Sequence, residues 1–258
     1  MQLGLVTYNL AKDWDQDTII SKCAEHGFAG VELRTTHAHG VEISLSAAER
    51  ADVKRRFADS PVALVGLGSV FEYHAVDPDE VRRNIEGTKE YVKLAADVGA
   101  GGVKVRPNRL QVEEGVPKEK TLDQIGAALR ECAEFAQDYG VAVRMEVHGQ
   151  DTSDPPNMRH IMRAADHPNA FACWNSNPGE VENGSIRKNF DLLAPWIGLV
   201  HITDLCQQSY PWRELLRLLH GRGYTGFCLA EAPESPEPDR IMCYYHALWE
   251  AYLELAVG

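Results

Sequence analysis

A chain of 258 residues, 44% hydrophobic and 25% charged, is long enough for one large domain or two small ones and has the make-up of a folded globular protein. Its net charge of −12 argues against a nucleic-acid backbone or an anionic membrane surface as partner. No apolar stretch approaches the roughly 20 residues that span a bilayer.

The opening, MQLGLVTYNL, has no basic region followed by an apolar run, so no signal peptide is expected, and LGLVTY (3–8) reads as a first strand. A helix over 15–26 leads to AGVELR (29–34), and a helix over 46–57 to VALVGLG (62–68). The next helix, 78–98, carries the plainest signals: Asp77 as N-cap, Pro78 at the first position, Asp79 and Glu80 against the dipole, apolar steps from Val81 to Ala95, and Gly99 as the stop. Strands GGVKVR (101–106), VAVRMEV (141–147), AFACWN (170–175), IGLVHIT (197–203) and GFCLAE (226–231) follow, separated by helices near 119–139, 156–165, 185–193 and 211–220 and closed by one near 237–255. Glycines in HGFAG, DVGAGG, DYGVA and RGYTGF sit where short helix-to-strand turns need them. Eight βα units in one chain of this length predict a (β/α)8 TIM barrel, a single domain over 1–258. A doubly wound sheet would show a glycine-rich turn after its first strand, where this chain has TYNLAKDW. Six cysteines without a C-x-x-C pair read as buried free thiols of a cytoplasmic protein.

In VRMEVHG (143–149) every second residue is polar. Val141, Val143, Met145 and Val147 would face the helices, which turns Arg144, Glu146 and His148 into the barrel. The pattern recurs with Glu32 and Arg34 against Val31 and Leu33, Lys104 and Arg106 against Val103 and Val105, and His201 and Thr203 against Val200 and Ile202. Cys173, Asn175 and Asn177 share a face, as do Phe227, Leu229 and Glu231. Buried charges must be paired, metal-bound or wetted. A structural ion-pair network, for instance Arg144 with Glu32, is one solution. Glu146, Asn175, His201 and Glu231 suggest another. They end four successive strands at the catalytic end of such barrels, and their oxygens and imidazole are competent ligands for one divalent cation, Mn²⁺, Mg²⁺, Co²⁺ or Zn²⁺.

On its GVEL, EVHG, VHITD and GYTGFCLAE segments, the sequence resembles the xylose isomerase-like sugar phosphate isomerase/epimerase superfamily over nearly its whole length. D-tagatose 3-epimerase and its relatives there carry a Glu–Asp–His–Glu metal site, matched here by Glu146, Asn175, His201 and Glu231. The resemblance implies a metal-dependent isomerase or epimerase of a small carbohydrate, with Glu146 and Glu231 as acid and base around an enediolate. It also implies an enzyme of a kind often dimeric or tetrameric, so a homo-oligomer is an open expectation. Three departures stand out: Asn175 in place of Asp, Pro178 in place of a His, and Gln207 in place of an Arg.

Further substrate contacts are expected from His148, Lys104 and Arg106, from His37 and His39 in TTHAHGVE, and from Asn177 and Trp174. Each has a bland alternative: a structural histidine, a pairing of Lys104 or Arg106 with Glu32, exposed loop histidines, an aromatic that is only packing. Three other functions compete. A lyase acting on a keto-sugar or keto-inositol would use the same first step. A non-catalytic sugar-binding barrel would follow if Asn175 had emptied the metal site. Endonuclease IV shares the superfamily fold, but the acidic balance and the four matched ligand positions argue against DNA repair.

Overall fold

The computed structural model describes residues 1–258. Eight parallel strands close into a barrel: β1 (Gln2–Val6), β2 (Gly30–Arg34), β3 (Ala63–Glu72), β4 (Gly102–Arg106), β5 (Ala142–Glu146), β6 (Ala170–Trp174), β7 (Ile197–Ile202) and β8 (Phe227–Ala230). Each hydrogen-bonds to its neighbours in sequence, and β1 pairs with β8 from Gln2↔Phe227 to Leu5↔Ala230 to complete the ring. Around it run α1 (Gln16–Glu25), α2 (Ala47–Ala58), α3 (Pro78–Val98), α4 (Lys118–Gln137), α5 (Pro155–Ala165), α6 (Arg187–Leu193), α7 (Trp212–Gly221) and α8 (Pro238–Val257). No helix is long and apolar enough to cross a membrane.

Helix ends follow the local chemistry. Asp77 caps α3 by accepting from the Asp79 N–H at 2.9 Å, and Gly99 closes it at φ 79°. Ser46 and Glu49 form a reciprocal capping box on α2. The strand β3 runs on to Glu72, past the glycine expected to end it, because Glu72 still pairs with Arg106 of β4.

Apolar packing falls into two layers of very different size. Val31, Leu33, Val103, Val105, Val143, Met145, Val200 and Ile202 all belong to a cluster of 63 buried residues between strands and helices. Inside the barrel there are only five, Val6, Val65, Cys173, Leu199 and Leu229, with Phe227 against them. That small plug fills one part of the interior, and polar side chains occupy the rest. Four cysteines are buried as expected, but Cys206 and Cys243 are exposed, lying in a loop and on the outer face of α8. Position 149 needs glycine twice over: its φ is 91°, and any side chain would run into the Asn108 backbone, where the loops after β4 and β5 pair through Arg109 and Gln150.

Candidate active site

Alternation carries three ionisable side chains to one point in the barrel mouth. Glu146 ends β5, His201 lies on β7, and Glu231 follows β8, its N–H held by the Ile202 carbonyl at 2.8 Å. One ligand atom from each falls within 4.8 Å of the others. The His201 Nδ1 stands 3.8 Å from Glu146 and 3.5 Å from Glu231. Glu146 is deeply buried at 4% side-chain exposure, whereas Glu231 keeps 17% and opens to the mouth.

Asn175 comes immediately after β6, where Ser176 at φ 49° turns the chain and anchors it by donating to the His201 carbonyl at 2.8 Å. Its Oδ1 is buried and accepts nothing. Neither ring nitrogen of His201 has a hydrogen-bond partner either, although the residue is fully buried. Orphaned buried polar atoms of this kind are rare in folded proteins and call for an explanation. Two carboxylates, an imidazole nitrogen and an amide oxygen, with the last two unsatisfied, suit a divalent cation in chemistry and in what they lack.

Opposite charges crowd around the point. Lys104 on β4 is buried and lies 2.6 Å from Glu146 Oε2. Burial disfavours the ionised Glu146, but the Lys104 ammonium and His201 outweigh it and hold the carboxyl well below the ordinary range. Burial likewise opposes a charged Lys104, and Glu146 and Glu32 more than compensate, raising its pKa. At His201 burial is again overcome, by Cys173 first, then the Glu32 charge and the Glu146 contact, which raise it well above the usual imidazole value. The sequence did not nominate Glu32 for the site, although it sits on the inward face of β2. It is 1% exposed, with one oxygen 3.4 Å from His201 Nε2.

Other expectations divide. Lys104 pairs with Glu146 rather than Glu32, and Arg144 makes no ion pair with Glu32 but donates to the Val65 carbonyl at 2.9 Å on the inner wall. Arg106 is held by Glu72 at 2.6 Å, with Asn108 on the other Glu72 oxygen at 2.8 Å. His148 is half-buried, and its buried Nδ1 has no partner. The His37 Nδ1 pairs with the Thr7 hydroxyl at 3.0 Å.

Three expected substrate residues are already committed within the fold. His39 spends both nitrogens on its own loop, one on the Arg34 carbonyl at 2.8 Å and one on the Val41 N–H at 3.0 Å. Asn177 donates its amide to the Val147 carbonyl at 2.6 Å and to Glu180. Trp174 alternates outward: it is 0% exposed, packs on Phe190 of α6 and donates to the Tyr210 hydroxyl at 2.9 Å, so it forms no wall of the mouth. Tyr210 in turn donates to Glu180 at 2.6 Å. Burial pushes the Glu180 carboxyl up to about 8, against the pull of its Tyr210 and Asn177 bonds. This polar knot beneath the loop after β6 escaped the sequence reading because its members are distant in sequence and obey no period.

A family model described as xylose isomerase-like TIM barrel matches residues 20–242. Curated protein sequences yield no match. Among solved structures, the D-psicose 3-epimerase of Clostridium cellulolyticum H10 with D-tagatose superposes at TM-score 0.80 and 15% identity, covering 99% of each chain. An L-ribulose 3-epimerase reaches TM-score 0.80 at 17% identity over 99% of this chain and 95% of that one. The IolI protein with a bound zinc atom reaches 0.75 at 16% identity over 99% of this chain and 98% of that one. At such identities the likeness shows the fold alone.

Proposed function

The chain belongs to the xylose isomerase-like TIM barrel family, and from that premise we propose that it is a metal-dependent isomerase or epimerase of a sugar or sugar phosphate. One observation carries the reading: ligand atoms of Glu146, His201 and Glu231 converge within 4.8 Å inside the mouth of the barrel, where enzymes of this architecture keep their chemistry. The epimerase and zinc-bound structures among its likenesses agree with it.

Glu146, His201 and Glu231, with the Asn175 oxygen, would hold one divalent cation. When bound, the cation polarises the substrate carbonyl and offsets the negative charge of the enediolate. The protein's own groups do the rest. Glu231, the more open carboxylate, takes the proton from the carbon beside the carbonyl. Delivery of a proton to the opposite face of that carbon inverts it, and delivery to the neighbouring carbon isomerises. His148, Arg106 and His37 would meet the substrate's hydroxyls.

One feature weighs against two-faced epimerisation and sets a second reading, a lyase on a keto-sugar, beside isomerisation. The Lys104 ion pair makes the two glutamates unequal, fixing Glu146 as an anion and leaving Glu231 the freer of the two. Isomerisation and β-elimination need one mobile carboxylate, whereas two-faced epimerisation asks both to carry protons.

The test is uptake of solvent deuterium into a panel of keto sugars and their phosphates by metal-loaded protein. The wild type should label at least one, and Glu231→Gln should lose the label by about 10²-fold or more while keeping its fold. Full labelling by that variant would remove Glu231 from the base role. Loss of water from the labelled product, seen by mass spectrometry, would turn the assignment to a lyase.

A further inference from the structure

Glu32 is a buried carboxylate whose two oxygens accept no hydrogen bond. Such a group is costly unless something answers its charge. Lys104 and Arg144 offset that charge only at a distance, since Lys104 donates to Glu146 at 2.6 Å and Arg144 to the Val65 carbonyl at 2.9 Å. The group that faces Glu32 closely is the His201 ring, whose Nε2 lies 3.4 Å from Oε1, while its Nδ1 looks the other way, toward Glu146 and Glu231. Room for the carboxylate is made by two residues without side chains on the inner wall of β3. A Cβ at Gly68 would lie 3.0 Å from Glu32 Oε1, and one at Gly66 would lie 3.5 Å from Oε2.

We propose that Glu32 is the positioning residue of the candidate metal centre: it keeps the His201 proton on Nε2 and so aims the Nδ1 lone pair at the space between Glu146 and Glu231. The inference rests on the metal reading above. A ligating imidazole must be neutral, with its one proton on the nitrogen turned away from the ion. Here that nitrogen faces a buried anion, which rewards a proton there and makes the opposite nitrogen a stronger donor. Glu32 cannot join the ligand set itself, because the imidazole ring stands between it and the other two glutamates. Its charge also counts for more where one donor, Asn175, is neutral and one anion, Glu146, is already shared with a lysine.

The metal-free full-length protein is titrated with Mn²⁺ by calorimetry, as wild type and as Glu32→Gln, and the melting temperature of each metal-free protein is recorded. The expected result is binding by the wild type and roughly 10–100-fold weaker binding by the variant, with the melting temperature held. In Zn²⁺-loaded wild type, ¹⁵N spectra of the histidines should show His201 protonated at Nε2. Should Glu32→Gln not accumulate as folded protein, Gly68→Ala, which crowds the carboxylate, takes its place with the same expectation. Equal affinity in wild type and variant overturns the inference and leaves the metal reading standing. So does a lower melting temperature with unchanged affinity, or a His201 protonated at Nδ1. A wild type that binds no Mn²⁺ overturns the metal reading and the inference with it.

Discussion

Asn175 shows what a single side chain can decide. Its amide oxygen is buried and unpartnered just past β6, the strand between those of Glu146 and His201, yet it brings no charge. Hard cations favour anionic oxygen. Asn175→Asp should therefore tighten Mn²⁺ binding, by about tenfold for each 1.4 kcal/mol gained. An unchanged affinity in a calorimetric titration would mean this side chain does not reach the ion. His39 and Trp174 teach the converse. Both look functional in the sequence, one by its chemistry in a loop and one by its place beside the ligand position. Both are spent on the fold, His39 on two backbone groups and Trp174 on Tyr210.

Among the elements, the loop after β6 is the most sensitive to its surroundings. It carries Asn175 at its start and Glu180 in its one-turn helix Pro178–Glu180, where that carboxyl is fully buried against Tyr210 and Asn177. Its folded pKa of about 8 exceeds the ordinary value of 4.5, so the folded state binds the proton more tightly than the unfolded chain does. The stabilisation this gives is complete below about pH 4.5 and is lost as the pH rises through about 8. Glu180→Gln, which cannot ionise, should flatten that decline. Melting temperatures between pH 5 and 8.5 should fall less steeply for the variant, and parallel curves would show that Glu180 does not stay protonated in the folded protein. The strands behave more simply. Polar residues on inward positions of β2, β4, β5 and β7 are an element-level pattern, and it survives because a closed barrel gives each strand one face to the helices and one to the interior.

For the molecule as a whole, a bound cation would act as a staple across the last four strands of the barrel. Binding to the folded state alone stabilises it by about 2.7 kcal/mol at a hundredfold excess over Kd. For a chain of this size that is worth about 5–10 °C in melting temperature. Mn²⁺ at that level should raise the melting temperature by this amount, and a chelator should reverse it. No shift in a scanning calorimeter would speak against a site linking these strands. The small apolar plug inside the barrel and the large apolar shell outside it lead to the same view. The interior gives up hydrophobic filling at the mouth in order to hold Glu32, Lys104, Glu146 and His201.

The sequence by itself determined the barrel with its eight strands and helices, and it nominated Glu146, Asn175, His201 and Glu231, of which the fold brings ligand atoms of Glu146, His201 and Glu231 within 4.8 Å of one another. Caps, glycine stops and the two-residue period are local signals, and a strand's inward face is fixed once its outward face is apolar. Tertiary structure alone decided which charges meet. Lys104 pairs with Glu146 and not Glu32, Glu32 stands behind His201, and Glu180 is buried under Tyr210. Those pairings depend on the stagger of neighbouring strands and on the bulge in β3 beside Glu32, which sets Gly66 and not Val65 opposite it. Such contacts join residues far apart in the chain, and no periodicity along it encodes which of several inward charges will lie within reach of another.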